Sequence, residues 1–96
     1  MDHASPVINK KSIEFTIQNG CASHICLAGS FNHWAKDVLS MKQDKEGRWK
    51  IRIPMLPKGK YYYKFIIDDR MQVEDVDNPL REPDGVNGWN SVLMVQ

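Results

Sequence analysis

Few side chains in this sequence of 96 residues could carry chemistry, and none of them forms a catalytic motif. His3, His24 and His33 have no GxSxG, HExxH or phosphate-binding loop near them. The adjacent Asp68 and Asp69 lie in a predicted turn, where solvation accounts for their charges. A glycoside hydrolase needs two carboxyl groups across a groove, and a domain this small has little chain left to build one. The sequence therefore predicts a protein that is not an enzyme.

An acidic segment mimics the opening of a calcium loop without completing it. Asp75, Asp77 and Asn78 resemble the first ligands, but Leu80 replaces the glycine required at the sixth position. Val86 stands at the twelfth position, where the loop requires a glutamate. We therefore predict no metal site and no cofactor.

The two cysteines, Cys21 and Cys26, match neither a CxxC pair nor a zinc-binding pattern. Unpaired thiols are typical of a reducing compartment, so a cytoplasmic location is predicted. The polar N-terminus does not resemble a secretory signal. No run approaches the ~18 consecutive apolar residues of a membrane span, so no membrane partner is expected.

The overall charge favours a neutral partner. Thirteen Lys and Arg against twelve Asp and Glu give a formal net charge of +1, so no general electrostatic field attracts nucleic acid. Basic and aromatic residues alternate between positions 58 and 64, as in some single-strand binders, but an acidic loop follows them. No nucleic-acid partner is therefore expected.

The three tryptophans differ in their surroundings. Trp34 lies in the polar segment SFNHW, so we expect its ring at a surface, where it can stack on a ligand. Trp49 begins an alternating stripe with Ile51 and Ile53, which indicates a place in the core. The surroundings of Trp89 favour neither role over the other.

Short runs of alternating apolar and polar residues predict strands throughout the chain, and no window has helical periodicity. The predicted strands lie at 12–19, 23–29, 38–42, 49–53, 61–68, 71–74 and 92–95, with a long polar loop at 75–89. This spacing is typical of an all-β fold, and we predict an immunoglobulin-like antiparallel β-sandwich (early set) of six to eight strands. The sandwich is expected to occupy residues 12–96, after a flexible N-terminal segment at 1–11.

The strongest predicted strand has two distinct faces. Tyr63 and Phe65 alternate with Lys64, so the lysine is expected on the face opposite to the two rings. The rings are assigned to the core, and Lys64 is assigned to the outer surface.

Several motifs resemble, in order and spacing, the glycogen-binding module of the AMP-activated protein kinase β subunit. They are LAGSFNHW at 27–34, GRW at 47–49, LPKGKYYYKFIID at 56–68, NP at 78–79 and NSVL at 90–93. The same module is similar to the N-terminal β-sandwich of isoamylases and glycogen branching enzymes, which is carbohydrate-binding module family 48. The resemblance extends over nearly the whole chain from about Ile13.

The resemblance implies a non-catalytic module that binds glycogen, starch or a related α-1,4-glucan. Trp34 matches the tryptophan on which a sugar ring stacks, and Lys64 matches the lysine that hydrogen-bonds sugar hydroxyls. Asn90 matches the binding asparagine, whose amide both donates and accepts hydrogen bonds. A neutral sugar, with an apolar face and a polar rim, suits such a set of side chains.

One position departs from the family pattern. Kinase-type members have a second tryptophan after the lysine strand, and here Met71 is the nearest equivalent. Trp89 is an alternative aromatic residue for the same surface, and Val86 occupies the approximate place of the family's loop leucine. A second interpretation therefore stays open. The chain could be a protein-interaction β-sandwich, or an accessory module joined to an amylase-family or kinase-regulatory protein, with weak or lost glucan binding.

Overall fold

A computed structural model describes residues 5–96 and contains two antiparallel β-sheets. The strands are β1 (Val7–Ile8), β2 (Ser12–Gln18), β3 (Ile25–Gly29), β4 (Leu39–Ser40), β5 (Lys42–Gln43), β6 (Arg48–Pro54), β7 (Gly59–Ile67), β8 (Met71–Val73), β9 (Arg81–Pro83) and β10 (Trp89–Val95). A 3₁₀ turn at Ser30–Asn32 follows β3. Among the described residues, no helix has the length and apolar character needed to cross a membrane.

Strand β7 lies at the centre of the larger sheet and pairs with three other strands. The first sheet has the order β1-β2-β6-β5, and the second has the order β4-β3-β7-β10-β9. One edge of β7 pairs with β3, while its other edge pairs with β10 and then with β8. The predicted all-β antiparallel sandwich is confirmed. The ten strands found among residues 5–96 exceed the predicted six to eight because several segments of two or three residues pair as strands.

The core lies between the inner faces of the two sheets. Phe15 of β2 packs edge-on against Tyr63 of β7, with ring centroids 4.9 Å apart, and Tyr63 in turn contacts Phe65. Trp49 is also buried, and its indole Nε1 donates a hydrogen bond of 2.7 Å to the carbonyl of Asn19. The predicted core position of Trp49 is confirmed.

The segment predicted as one strand at 38–42 is in fact two strands in different sheets. β4 pairs with β3 in the second sheet, while β5 pairs with β6 in the first. Met41 lies buried between them, and its backbone N–H donates to the carbonyl of Ile25. The chain therefore changes sheets at Met41, which local alternation does not reveal because both halves keep a strand-like pattern.

The segment predicted as a loop at 75–89 contains the strand β9, which forms an antiparallel hairpin with β10. At the other end of the chain, residues 1–4 of the predicted flexible segment lie outside the described residues. Val7 and Ile8 pair with β2, and the backbone N–H of Thr16 donates to the hydroxyl of buried Ser5.

A buried polar network attaches the segment after β8 to the second sheet. The Tyr63 hydroxyl donates to Asp75 Oδ2 at 2.8 Å, and the backbone N–H of Asp75 donates to Ser91 Oγ at 2.8 Å. Asn78 Nδ2 donates to both the Tyr63 hydroxyl and the carbonyl of Val92. Burial raises the pKa of Asp75, and hydrogen bonds from Ser5 and Tyr63 oppose that shift. Two of the three residues that mimic a calcium loop, Asp75 and Asn78, thus belong to a structural network.

Replacing Tyr63 by Phe should destabilise the protein by about 1–3 kcal/mol, since a buried carboxylate and a buried amide each lose a partner. Urea denaturation would measure the loss. Tyr61→Phe is the matched control, because the Tyr61 hydroxyl bonds to the Pro57 carbonyl at an exposed position. Equal losses for the two variants would contradict a structural role for the buried network.

Candidate functional site

A cleft with a volume of about 370 Å³ lies on the outer face of the second sheet, away from the core. Its lining residues come from β3, β7, β8 and β10 and from two loops: Ala28, Trp34, Lys36, Lys64, Ile66, Gln72, Asp84, Val86 and Asn90. Ala28 and Ile66 are buried apolar side chains and form the floor of the cleft. The polar and aromatic side chains surround this floor.

Strand register brings the central residues together. Ala28 of β3 lies opposite Lys64 of β7, and Gln72 of β8 lies opposite Ile66. The β7–β10 ladder ends with the pair Tyr63 and Ser91, so the next step in the same register places Asn90 beside Lys64. Because opposed residues of an antiparallel pair share a face, these side chains all reach the outer surface.

Trp34 reaches the cleft from the loop after β3. Its backbone N–H donates to the carbonyl of Gly29 at 2.9 Å, and the Asn32 side chain accepts from the N–H of Gly29 at 3.0 Å. His33 and Trp34 both have positive φ angles, 56° and 58°, which are uncommon for residues other than glycine. The hydrogen bonds of the loop stabilise this energetically unfavourable backbone conformation. Trp34 remains 39% exposed.

Gly29 has no side chain, so the backbone can pass very close to its neighbours where the loop leaves the sheet. A Cβ atom at this position would lie 2.6 Å from both the Tyr62 carbonyl oxygen and the Phe31 ring. Phe31 turns inward, where it packs near Phe15 and Tyr61. The two rings of this loop therefore have different roles, since Phe31 anchors the loop to the core and Trp34 lies at the cleft.

Lys64 is held by an ion pair with Asp84. Lys64 Nζ lies 2.8 Å from Asp84 Oδ2, and each side chain is only 14% exposed. The other carboxylate oxygen of Asp84 accepts hydrogen bonds from the backbone N–H groups of Val86 and Gly88. The Lys64 contact, followed by these backbone donors, holds the pKa of Asp84 far below its usual value of 3.8. Asp84 is therefore ionised and fixes the ammonium group at the side of the cleft.

Asp84 and Lys36 line the cleft but are not among the predicted binding residues. An Asp-Gly pair in a Gly-rich turn indicates a hairpin loop, but nothing local shows that Asp84 reaches a lysine 20 positions away. Val86, the approximate equivalent of the family's leucine, does line the cleft and is 82% exposed at the tip of this loop.

Three of the five predicted binding residues lie together in the cleft: Trp34, Lys64 and Asn90. Met71 does not line the cleft. It lies opposite Ile67 in the β7–β8 ladder, whereas the next residue, Gln72, lies opposite Ile66 on the outer face. Trp89 does not line it either, because it precedes Asn90 by one residue and so points to the opposite face.

The cleft is chemically suited to a neutral, hydroxylated ligand. Trp34 provides a flat apolar surface, and the Lys64 ammonium group has three donors, of which Asp84 occupies one. The amides of Gln72 and Asn90 can each donate and accept. Within residues 5–96, no group of three or more His, Cys, Asp or Glu side chains is placed to hold a metal ion.

Comparisons with known proteins agree with this chemistry. Residues 12–96 match the family described as the glycogen recognition site of AMP-activated protein kinase. The chain is 30% identical over 95 residues to Protein PTST homolog 2, chloroplastic, of Arabidopsis thaliana, covering 99% of this chain and 17% of that protein. It is 39% identical over 62 residues to a 1,4-alpha-glucan branching enzyme of Clostridium perfringens, covering 62% of this chain and 9% of the enzyme.

A solved structure shares the fold. The putative alpha amylase from Salmonella typhimurium superimposes with a TM-score of 0.75 at 20% identity, over 99% of this chain and 15% of that one. The chain thus spans less than a fifth of the length of each of these proteins.

Asp84→Asn should lower stability in a pH-dependent way. The pKa of Asp84 is lower in the folded protein than its ordinary 3.8, so the ionised carboxylate stabilises the fold above that pH. This contribution is lost as the pH falls below 3.8 through the folded pKa. We expect the variant to be less stable than the wild type at pH 7, with the difference shrinking below pH 3.8, as measured by urea denaturation at several pH values.

Glu46→Gln is the control, since Glu46 is exposed and forms no ion pair with the described residues. A stability difference for Asp84→Asn that stays constant from pH 7 to pH 2 would contradict the role of the ion pair.

Proposed function

Because this chain belongs to the family of glycogen recognition domains of AMP-activated protein kinase, we propose that its outer cleft binds an α-1,4-linked glucan. Glycogen, starch or a related polysaccharide would supply such a chain. The observation that carries the proposal is the convergence of Trp34, Lys64 and Asn90 on one cleft. These residues come from a loop and two strands that are far apart in sequence.

Stacking on Trp34 supplies the apolar part of recognition. A glucose ring presents a face of C–H groups, and an exposed indole can cover it with little loss of conformational entropy because the loop is already ordered by hydrogen bonds. Ala28 and Ile66 line the same cleft and add apolar surface to it. The sugar therefore lies against the sheet with its hydroxyls at the rim.

Hydrogen bonds to the hydroxyl rim supply orientation. Asp84 holds the Lys64 ammonium group in place, so the lysine does not have to be ordered when ligand binds. Two of its three N–H groups remain for sugar oxygens. Asn90 lies beside it and can accept a bond from the same hydroxyl to which Lys64 donates, which favours a ligand whose groups both donate and accept.

The module is proposed to be non-catalytic. Hydrolysis of a glycosidic bond requires two carboxyl groups flanking it, one of them protonated. Among the described residues that line the cleft, Asp84 is the one carboxyl group, and Lys64 lowers its pKa. An acid held in its ionised form is unsuited to donate a proton to a leaving group.

The wider context of the module is part of the proposal. The relatives are much longer than this chain, and one of them is named as a branching enzyme, so we propose that the module brings a catalytic or regulatory partner to its glucan. The thiols of Cys21 and Cys26 are both free, which supports a cytoplasmic location.

Trp34→Ala should weaken the binding of maltoheptaose and β-cyclodextrin by about tenfold or more, because the stacking surface is lost. Titration calorimetry and the backbone NMR signals of the cleft residues would measure the loss.

Val38→Ala is the matched control, because Val38 is exposed a few residues along the same loop and does not line the cleft. Unchanged affinity in Trp34→Ala would refute the assignment of the site. No response of the wild type to either sugar at millimolar concentration, together with a stable protein partner, would favour the protein-interaction alternative.

A further inference from the structure

A second concavity lies on the other side of the β9–β10 loop. This recess has a volume of about 340 Å³ and is lined by Pro83, Gly85, Val86, Asn87, Gly88 and Trp89. It shares only Val86 with the cleft that contains Trp34. One short loop, residues 84–88, therefore separates two concave surfaces.

Strand geometry explains why Trp89 belongs to this recess. Trp89 pairs with Pro83 in the β9–β10 ladder, so the indole and the proline ring lie on one face of the hairpin. Asn90, the next residue, points into the cleft on the opposite face. The first two residues of β10 thus supply one side chain to each concavity.

The Trp89 indole packs against the side chain of Arg81. The Arg81 guanidinium lies 4.2 Å from the ring centroid, and Arg81 Nη1 in turn lies 3.2 Å from both carboxylate oxygens of Glu74. Arg81 covers one face of the ring, which still remains 41% exposed. An aromatic side chain that is restrained on one face and still partly exposed is a preorganised stacking surface.

The loop between the two concavities has a fixed shape. Asp84 Oδ1 accepts the backbone N–H groups of Val86 and Gly88, at 2.8 and 3.1 Å, and the Asp84 N–H donates back to the Gly88 carbonyl. Gly85 has a φ of +84°, which favours glycine. Val86 is therefore presented as an exposed apolar ridge, with Trp34 beyond one side of it and Trp89 beyond the other.

We propose that the recess is a second subsite for the same glucan chain, which passes over Val86 from the Trp34 cleft to Trp89. Trp89 stacks on a sugar ring, Pro83 and Val86 add apolar contact, and the Asn87 amide bonds hydroxyls at the edge. The recess, like the cleft, suits a neutral ligand with alternating apolar and polar surfaces. This inference rests on the proposed function, and it predicts that affinity grows with chain length because the second contact becomes intramolecular.

The test compares Trp89→Ala with the wild type for maltotriose and maltoheptaose, using titration calorimetry. We expect the variant to bind maltoheptaose about 3- to 10-fold more weakly and maltotriose with unchanged affinity. Met94→Ala is the matched control, because Met94 lies on the same strand, is also 41% exposed and does not line the recess. It should bind both sugars as the wild type does.

A second measurement avoids any effect of the substitution on folding. In the wild-type protein, the indole N–H signal of Trp89 should shift on addition of maltoheptaose, while maltotriose should shift that of Trp34 alone. The second subsite would be overturned by two results together. Trp89→Ala would bind maltoheptaose as tightly as Met94→Ala does, and the Trp89 signal of the wild type would not shift when maltoheptaose is added. A Trp89 signal that responds to a proline-rich peptide and to neither sugar would overturn the choice of ligand.

The two proposals fail in different ways. If Trp34→Ala binds both sugars normally, the proposed function is wrong. If Trp34→Ala loses affinity for both sugars while Trp89→Ala keeps its affinity for both, only the second subsite is wrong.

Discussion

The alternation of side chains along β7 is the constraint on which the rest of the structure depends. Tyr63 and Phe65 are fully buried on one face of this strand, where they contact Phe15 and each other. Lys64 and Ile66 point the other way and form part of the outer cleft. Because the side-chain period of a strand is two, the packing that holds the core in register also sets the position of the cleft. A shift of β7 by one residue would bury Lys64 and expose both rings.

A largely buried ion pair connects this strand to the loop that separates the two concavities. Lys64 would lose much of its hydration beside the apolar floor without a partner, and Asp84 compensates for that loss. The same carboxylate accepts backbone hydrogen bonds that close the loop, so one side chain both holds the lysine and shapes the turn. The exposed apolar ridge at Val86 follows from this arrangement, because the closed loop directs its tip into solvent.

Much of the fold could be predicted from the sequence, because long strands with one buried face leave a clear pattern. The runs that became β2, β6 and β7 were identified nearly to their ends. The change of sheet at Met41 and the hairpin strand β9 were not identified, since each depends on pairing with a distant strand rather than on local alternation. The cleft was predicted in part. Trp34, Lys64 and Asn90 carry motif signals, whereas the place of Asp84 depends on a contact across 20 residues.

The sequence by itself determined the class of fold, the core position of Trp49 and the type of ligand that the composition suits, because these follow from periodicity, charge and residue chemistry. The tertiary structure decided which predicted residues share a surface. Met71 and Trp89 are each one residue away from a side chain that lines the cleft, Gln72 and Asn90. In a strand, one residue is the difference between the two faces of a sheet, and only the register of β8, β9 and β10 determines which face each residue takes.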